Sequence, residues 1–90
     1  MKFEWDPIKA DANENKHGIT FDEASIVFGD ELSVSGRDLA HSVGENRFVT
    51  FGLSSQGHVL VVSHTDRGAV IRIISARHAT RKEKRIYEES

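Results

Sequence analysis

Seven cations fall between residues 67 and 85 of this chain, namely Arg67, Arg72, Arg77, Arg81, Lys82, Lys84 and Arg85, and Glu83 alone opposes them. Residues 1 to 66 carry five Lys/Arg against eleven Asp/Glu, so a net charge of −2 conceals a block of +6 set against −6, with Glu88 and Glu89 closing the balance. Such a block concentrates positive potential on whichever surface the last strand and helix occupy, and a polyanion is the ligand that potential suits. A solvated helix with ordinary surface charge would give the same count. Five of the seven are arginines, whose planar fork matches a phosphate better than an ammonium does.

Arg72 and Arg77 belong to Val70-Ile71-Arg72-Ile73-Ile74-Ser75-Ala76-Arg77. Strict strand alternation puts them on opposite faces, so they meet at one site only if the strand twists, bulges or ends first. Among aliphatic neighbours Arg72 requires a carboxylate, a phosphate or water, and a purely structural reading pairs it with Glu45 or another acidic group. Lys16 and His17 fall in the last turn of a predicted helix, where the dipole favours cations. That accounts for them without chemistry; the functional reading of His17 is a general acid or base near neutral pH. His64 reads as a surface imidazole at a strand end, with the same two readings.

No cysteine is present, which excludes a disulfide scaffold, a thiolate metal site and a cysteine nucleophile. His41, His58, His64 and His78 share no metal-ligand spacing, and no Gly-rich phosphate loop or nucleophile elbow occurs. The expectation is therefore no metal and no cofactor. The longest aliphatic stretch, residues 59–62, is far short of the ~20 residues of a membrane span, so a soluble cytoplasmic protein is expected.

The elements that must position these groups follow from local signals. Lys2 to Trp5 reads as a strand, with Phe3 and Trp5 in the core unless Trp5 is free to stack a base. Asp6 is an N-cap with Pro7 at the first helical position, and Gly18 stops a helix whose buried side holds Ile8 and Ala12. Thr20 and Glu23 open a second helix over residues 20 to 28. The polar stretch from Leu32 to Asn46, broken by Gly36 and Gly44, holds one weak strand. Residues 47–53, 58–65 and 69–76 are predicted strands of an antiparallel meander, and Thr80 with Glu83 opens a last helix. With 90 residues the chain makes one domain over 1–90, an α+β fold with two N-terminal helices and a C-terminal helix packed on an antiparallel sheet.

Ordered together, Glu4-Trp5-Asp6-Pro7, Asn13, Lys16-His17-Gly18, Phe21-Asp22-Glu23-Ala24, Glu45-Asn46-Arg47, Leu60-Val61-Val62, His64-Thr65-Asp66-Arg67, Ile73-Ile74-Ser75-Ala76-Arg77 and Ala79-Thr80-Arg81-Lys82-Glu83 resemble the BrnT family of bacterial toxins. The likeness covers nearly the whole chain; residues 30 to 42 match least, and His78 stands where members often carry Arg or Lys. It implies a RelE-like fold, an endoribonuclease that inhibits translation, and a BrnA-like ribbon-helix-helix antitoxin through which alone the toxin would reach DNA. By motif position it marks Lys16, His17, Arg47 and Arg77. The expectation built on it is that Arg77, Arg47 and Lys16 surround a scissile RNA phosphate, His17 transfers protons with His64 in reserve, and Arg67, Arg72, Arg81, Lys82 and Arg85 hold the strand. Two other classes fit the same residues: a non-catalytic partner module acting as transcriptional co-repressor, and a basic-faced RNA-binding regulator without toxicity.

Overall fold

The computed structural model describes residues 1–41 and 46–90; Gly44 and Glu45 lie outside them. After the short strand β1 (Lys2–Glu4), Asp6 caps helix α1 (Pro7–His17) by accepting the Ile8 N–H at 2.9 Å, and Gly18 ends the helix at φ 71°, donating to the Glu14 carbonyl. Thr20 caps α2 (Phe21–Ile26) through the Glu23 N–H, and the chain tightens into a 3-10 turn over Val27–Gly29. Strand β2 (Val34–Arg37) and a second 3-10 turn, Leu39–His41, precede β3 (Phe48–Leu53), β4 (Val59–Arg67) and β5 (Val70–His78). A capping box between Thr80 and Glu83 starts α3 (Arg81–Glu89).

The strand order is β1-β5-β4-β3-β2. The meander is present, but β1 runs parallel to β5 through Lys2↔Val70, Phe3↔Ile71 and Glu4↔Arg72, so the sheet is mixed rather than antiparallel. Side-chain alternation is the same in either direction, and only the return path of the chain decides it. On one face Leu60, Val62, Ile73 and Ala76 bury against Ile19, Phe21, Ala24 and Val27. Trp5 meets Phe21 edge-on at 5.9 Å and Phe3 lies 5.4 Å from Phe28, so both aromatics pack against the core.

Helix α1 does not bury the face expected of it. Ile8 is 79% exposed, whereas Asn13 is only 7% exposed and Ala10 packs on the core. Among the described residues no strand pairs with β5 beyond Arg72 on its β1 side, and the Asn13 amide takes that place. It donates to the Ala76 carbonyl at 2.8 Å, accepts the Ala76 N–H at 3.0 Å, and donates to the Ile19 carbonyl at 3.0 Å. The pull of these bonds outweighs the weak apolar stripe of Ile8 and Ala12.

At Gly52 the sheet touches the 3-10 turn so closely that an added Cβ would lie 2.6 Å from Val27 Cγ1 and 3.1 Å from the Val27 carbonyl oxygen. Gly52→Ala therefore forces backbone and side chain apart, with an expected loss of about 1–3 kcal/mol in urea unfolding.

One irregularity decides what the other face carries. Ser63 pairs with Ser75 but His64 pairs with Ile73, which leaves Ile74 as an extra residue in β5. Ile73 and Ala76 both point into the core despite being three residues apart, so the bulge restores parity and Arg72 and Arg77 project from the same outer face.

Candidate nucleic-acid interface

On that outer face a cleft of about 660 Å³ opens over β3, β4 and β5. Its floor is Val49, Phe51, Val61, Ser63 and Ser75; its walls bring Arg37 from the end of β2, Arg47 from just before β3 and Arg77 from β5, with Asp38 and Glu83 as the acids. Arg37, Arg47 and Arg77, from three separated stretches of chain, thus border one concavity with Ser63 and Ser75, the Arg37 guanidinium donating to Asn46 Oδ1 at 2.7 Å. This is chemistry suited to a phosphate and its ribose rather than to an apolar ligand. A separate cleft of about 580 Å³, lined by Met1, Phe3, Ile26, Phe28 and Leu53 among others, is mostly apolar, with Asp30 as its charged side chain.

Arg77 is already engaged. Its two terminal nitrogens reach Glu83 Oε1 and Oε2 at 2.7 and 2.9 Å, a fork-to-fork pair, while Glu83 Oε1 also accepts the Thr80 N–H at 2.9 Å. The guanidinium and the capping hydrogen bonds hold the Glu83 carboxyl down at about 2. The arginine side chain nonetheless remains 42% exposed, open to an anion from solvent. Helix α3 is tied down at its far end by the Tyr87 hydroxyl, which donates to Asp30 Oδ2; Asp30 also accepts the Leu32 and Leu53 N–H groups at 2.9 Å each. That bond pushes the Tyr87 phenol up to about 12.

Lys16 and His17 stand elsewhere. They line a smaller groove of about 220 Å³ with Lys9, Ala12, Asn13, Ile74 and Ser75, on the side of β5 that α1 covers. Ser75 borders both clefts, so the expected single cup around Arg47, Arg77 and Lys16 is in fact two recesses divided by β5. The asparagine anchor fixes this, because it holds α1 against the strand edge and keeps its last turn off the outer face. Arg72 meets a carboxylate as expected, that of Glu4 at 3.0 Å, from the strand beside it; Glu45, the acid named for that pair, lies outside the described residues. Arg67, at the end of β4, and Arg81, Lys82 and Arg85, on α3, are exposed and border neither recess.

His64 is not at the surface. Strand β4 continues to Arg67, past the hairpin start read from Asp66, which places His64 mid-strand, 3% exposed, between the rings of Phe28 and Phe48. Nδ1 lies 2.8 Å from Asp66 Oδ1 and Nε2 lies 2.8 Å from Thr50 Oγ1, which in turn meets Ser35 Oγ at 2.7 Å. An ionised carboxylate only accepts, so Nδ1 carries the proton and Nε2 accepts from Thr50. Burial disfavours the imidazolium and lowers the His64 pKa below 6.5 despite the opposing pull of Asp66. The unfolded chain therefore takes up this proton first. Stability from His64 is complete above pH ~6.5 and is lost as pH falls through the lower folded value. Urea midpoints should drop between pH 7.5 and 5.5, and His64→Gln should flatten that drop.

Arg37 and Ser75, and Lys9 in the smaller groove, were not singled out in the sequence. Arg37 lies within the acidic two thirds of the chain, where a charge sum hides it; its place at the end of a short strand after two turn signals is what could have raised it. Among the described residues no cluster of three or more His, Cys, Asp or Glu is placed to hold a metal ion, and no helix is long and apolar enough to cross a membrane.

Residues 5–83 match the family model described as the ribonuclease toxin BrnT of type II toxin–antitoxin systems. No curated protein matches in sequence. The 1.1 Å crystal structure of the Brucella abortus ribonuclease toxin, BrnT, superposes with a TM-score of 0.70 at 26% identity, over 90% of this chain and 99% of that one.

Proposed function

The chain belongs to the BrnT family of ribonuclease toxins of type II toxin–antitoxin systems, and on that premise we propose that it is an endoribonuclease of RelE-like type that cleaves RNA without a metal ion at the outer-face cleft. The observation that carries this reading is that Arg37, Arg47 and Arg77 border one recess whose floor also presents Ser63 and Ser75. In the reaction the RNA 2′-hydroxyl oxygen bonds to the adjacent phosphorus and loses its proton to a base. The 5′-oxygen leaves with a proton from an acid, and a 2′,3′-cyclic phosphate remains. Arg77 and Arg47 stabilise the extra charge of the phosphorane. When the phosphate draws Arg77 away, Glu83 loses the cation that holds its carboxyl near 2 and becomes a better proton acceptor on the wall of the recess. This assigns proton transfer to Glu83 in place of His17 and His64, since His17 lies across β5 and His64 in the core.

The family is one half of a toxin–antitoxin pair, so an antitoxin is the protein partner. Our reading is a BrnA-like ribbon-helix-helix protein that covers the arginine cleft with an acidic segment, stops translation arrest, and carries the pair to DNA. The engagement of Arg77 by Glu83 also fits a non-catalytic co-repressor, whose cleft needs no free cation. Purified protein incubated with mixed-sequence RNA in excess EDTA decides between them. The nuclease reading expects fragments ending in 2′,3′-cyclic phosphate; RNA left whole in EDTA, and also in a separate magnesium-containing reaction with translating ribosomes, overturns it.

A further inference from the structure

The groove beside α1 is the other place where cations gather, and nothing in the reaction just described uses it. Lys9, Asn13 and Lys16 follow one another at i, i+4 and i+7, which puts them on a single stripe of the helix. The middle residue is bonded at both its oxygen and its nitrogen to Ala76 of β5, so the two lysines stand one turn to either side of a rigid anchor, along the strand edge. His17 joins them beside Ile74, the bulged residue, and Ser75.

The charge pattern differs from that of the arginine cleft. Glu83 and Asp38 line the latter, whereas no carboxylate lines the groove. Among the described residues Lys9, Lys16 and His17 take part in no ion pair or side-chain hydrogen bond, while Arg72 and Arg77 do. Two ammonium groups along one edge of a groove that no carboxylate lines attract an anion, and a phosphate is the group that fits between them. The recesses meet at Ser75, so only the width of β5 separates them, about 5 Å on the usual strand spacing.

We propose that the groove of Lys9, Lys16 and His17 holds the backbone phosphate next to the scissile one, so that a single RNA strand is gripped at two successive phosphates as it bends over β5. The inference rests on the arginine cleft being the cleavage site. It also sets the substrate class, because a strand that turns over a sheet edge must be single; a stacked duplex cannot follow so sharp a path. His17 thereby becomes a phosphate-binding residue at the second position.

The test uses the whole protein and two 2′-O-methyl oligonucleotides that cannot be cleaved, a mixed-sequence hexanucleotide and a mixed-sequence dinucleotide, the latter with one internucleotide phosphate. The wild-type protein should bind the hexanucleotide about fiftyfold more tightly, about fivefold from its five internucleotide phosphates against one and about tenfold from one good ionic contact. The double variant Lys9→Glu with Lys16→Glu should shrink that difference to the statistical value of about fivefold and lower the salt dependence of hexanucleotide binding by about one phosphate. Both lysines are solvent-exposed, and a thermal melt together with the milder Lys9→Ala, Lys16→Ala pair guards against misfolding. A difference that stays at about fiftyfold in either folded double variant overturns the inference, as does a wild-type difference no larger than about fivefold. Failure of wild-type protein to bind either oligonucleotide at low salt overturns the cleavage-site reading as well. A perfect RNA duplex of the same length should compete at least tenfold more weakly; equal competition overturns the single-strand assignment.

Discussion

Arg77→Ala should lower RNA cleavage by about 100- to 1,000-fold, the usual loss when one group stabilising transition-state charge is removed from a preorganised site. The same change frees Glu83 from its cation, yet the fold should lose only about 1 kcal/mol, because the arginine is 42% exposed and water screens the pair. Loss of activity far in excess of loss of stability separates a catalytic arginine from a brace for α3. Arg77→Lys sharpens the contrast. It keeps the charge but not the fork that spans both oxygens of Glu83 or of a phosphate, and activity should fall about tenfold. Cleavage rates at saturating RNA, read beside urea midpoints, check both variants; near wild-type cleavage by folded Arg77→Ala removes the assignment.

Asn13→Ala should have the largest effect on stability. One buried amide serves the Ala76 N–H, the Ala76 carbonyl and the Ile19 carbonyl, and truncation leaves all three without a partner inside the protein. At about 1–3 kcal/mol for each unsatisfied buried group, partly relieved by water entering the gap, the expected loss is about 3–5 kcal/mol. A domain of 90 residues has on the order of 5–13 kcal/mol in all, so the variant should be largely unfolded at 37 °C. Asn13→Asp should fare no better, since a carboxylate accepts the Ala76 N–H but meets both carbonyls with repulsion. Denaturant unfolding by circular dichroism measures both, and a loss below 1 kcal/mol would mean that the β5 edge is held by something other than this amide.

The local signals in the chain carried much of the architecture. Asp6, Thr20 and Thr80 cap helices where the sequence placed caps, Gly18 ends α1, and the three meander strands fall within two residues of their predicted ends. What the sequence concealed depends on parity and on distant partners. A bulge is one residue with no compositional mark, yet the one at Ile74 puts Arg72 and Arg77 on one face. The buried side of α1 is built on an asparagine, whose value comes from a strand edge more than sixty residues away, so a search for apolar spacing settled on Ile8 and Ala12 instead. His64 looked superficial because Asp66 and Gly68 read as a turn, although β4 runs on to Arg67 and buries the ring.

The basic block likewise maps only in part onto the cleft. Of its seven cations Arg77 alone borders the cleft, while Arg37 and Arg47, from the acidic portion of the chain, complete it. Glu83 was legible as the second half of a capping box, but the same carboxylate's grip on Arg77 needs the end of β5 to lie beside α3. Charge counted along a chain therefore says little about which residues the fold brings into one cleft.

A crystal structure of the protein with a 2′-O-methyl dinucleotide tests the central claim most directly. The phosphate should lie within hydrogen-bond distance of Arg77 and Arg47, with Arg77 withdrawn from Glu83 and the ribose against Ser63 or Ser75. A phosphate bound elsewhere, with the Arg77–Glu83 fork intact, would contradict it.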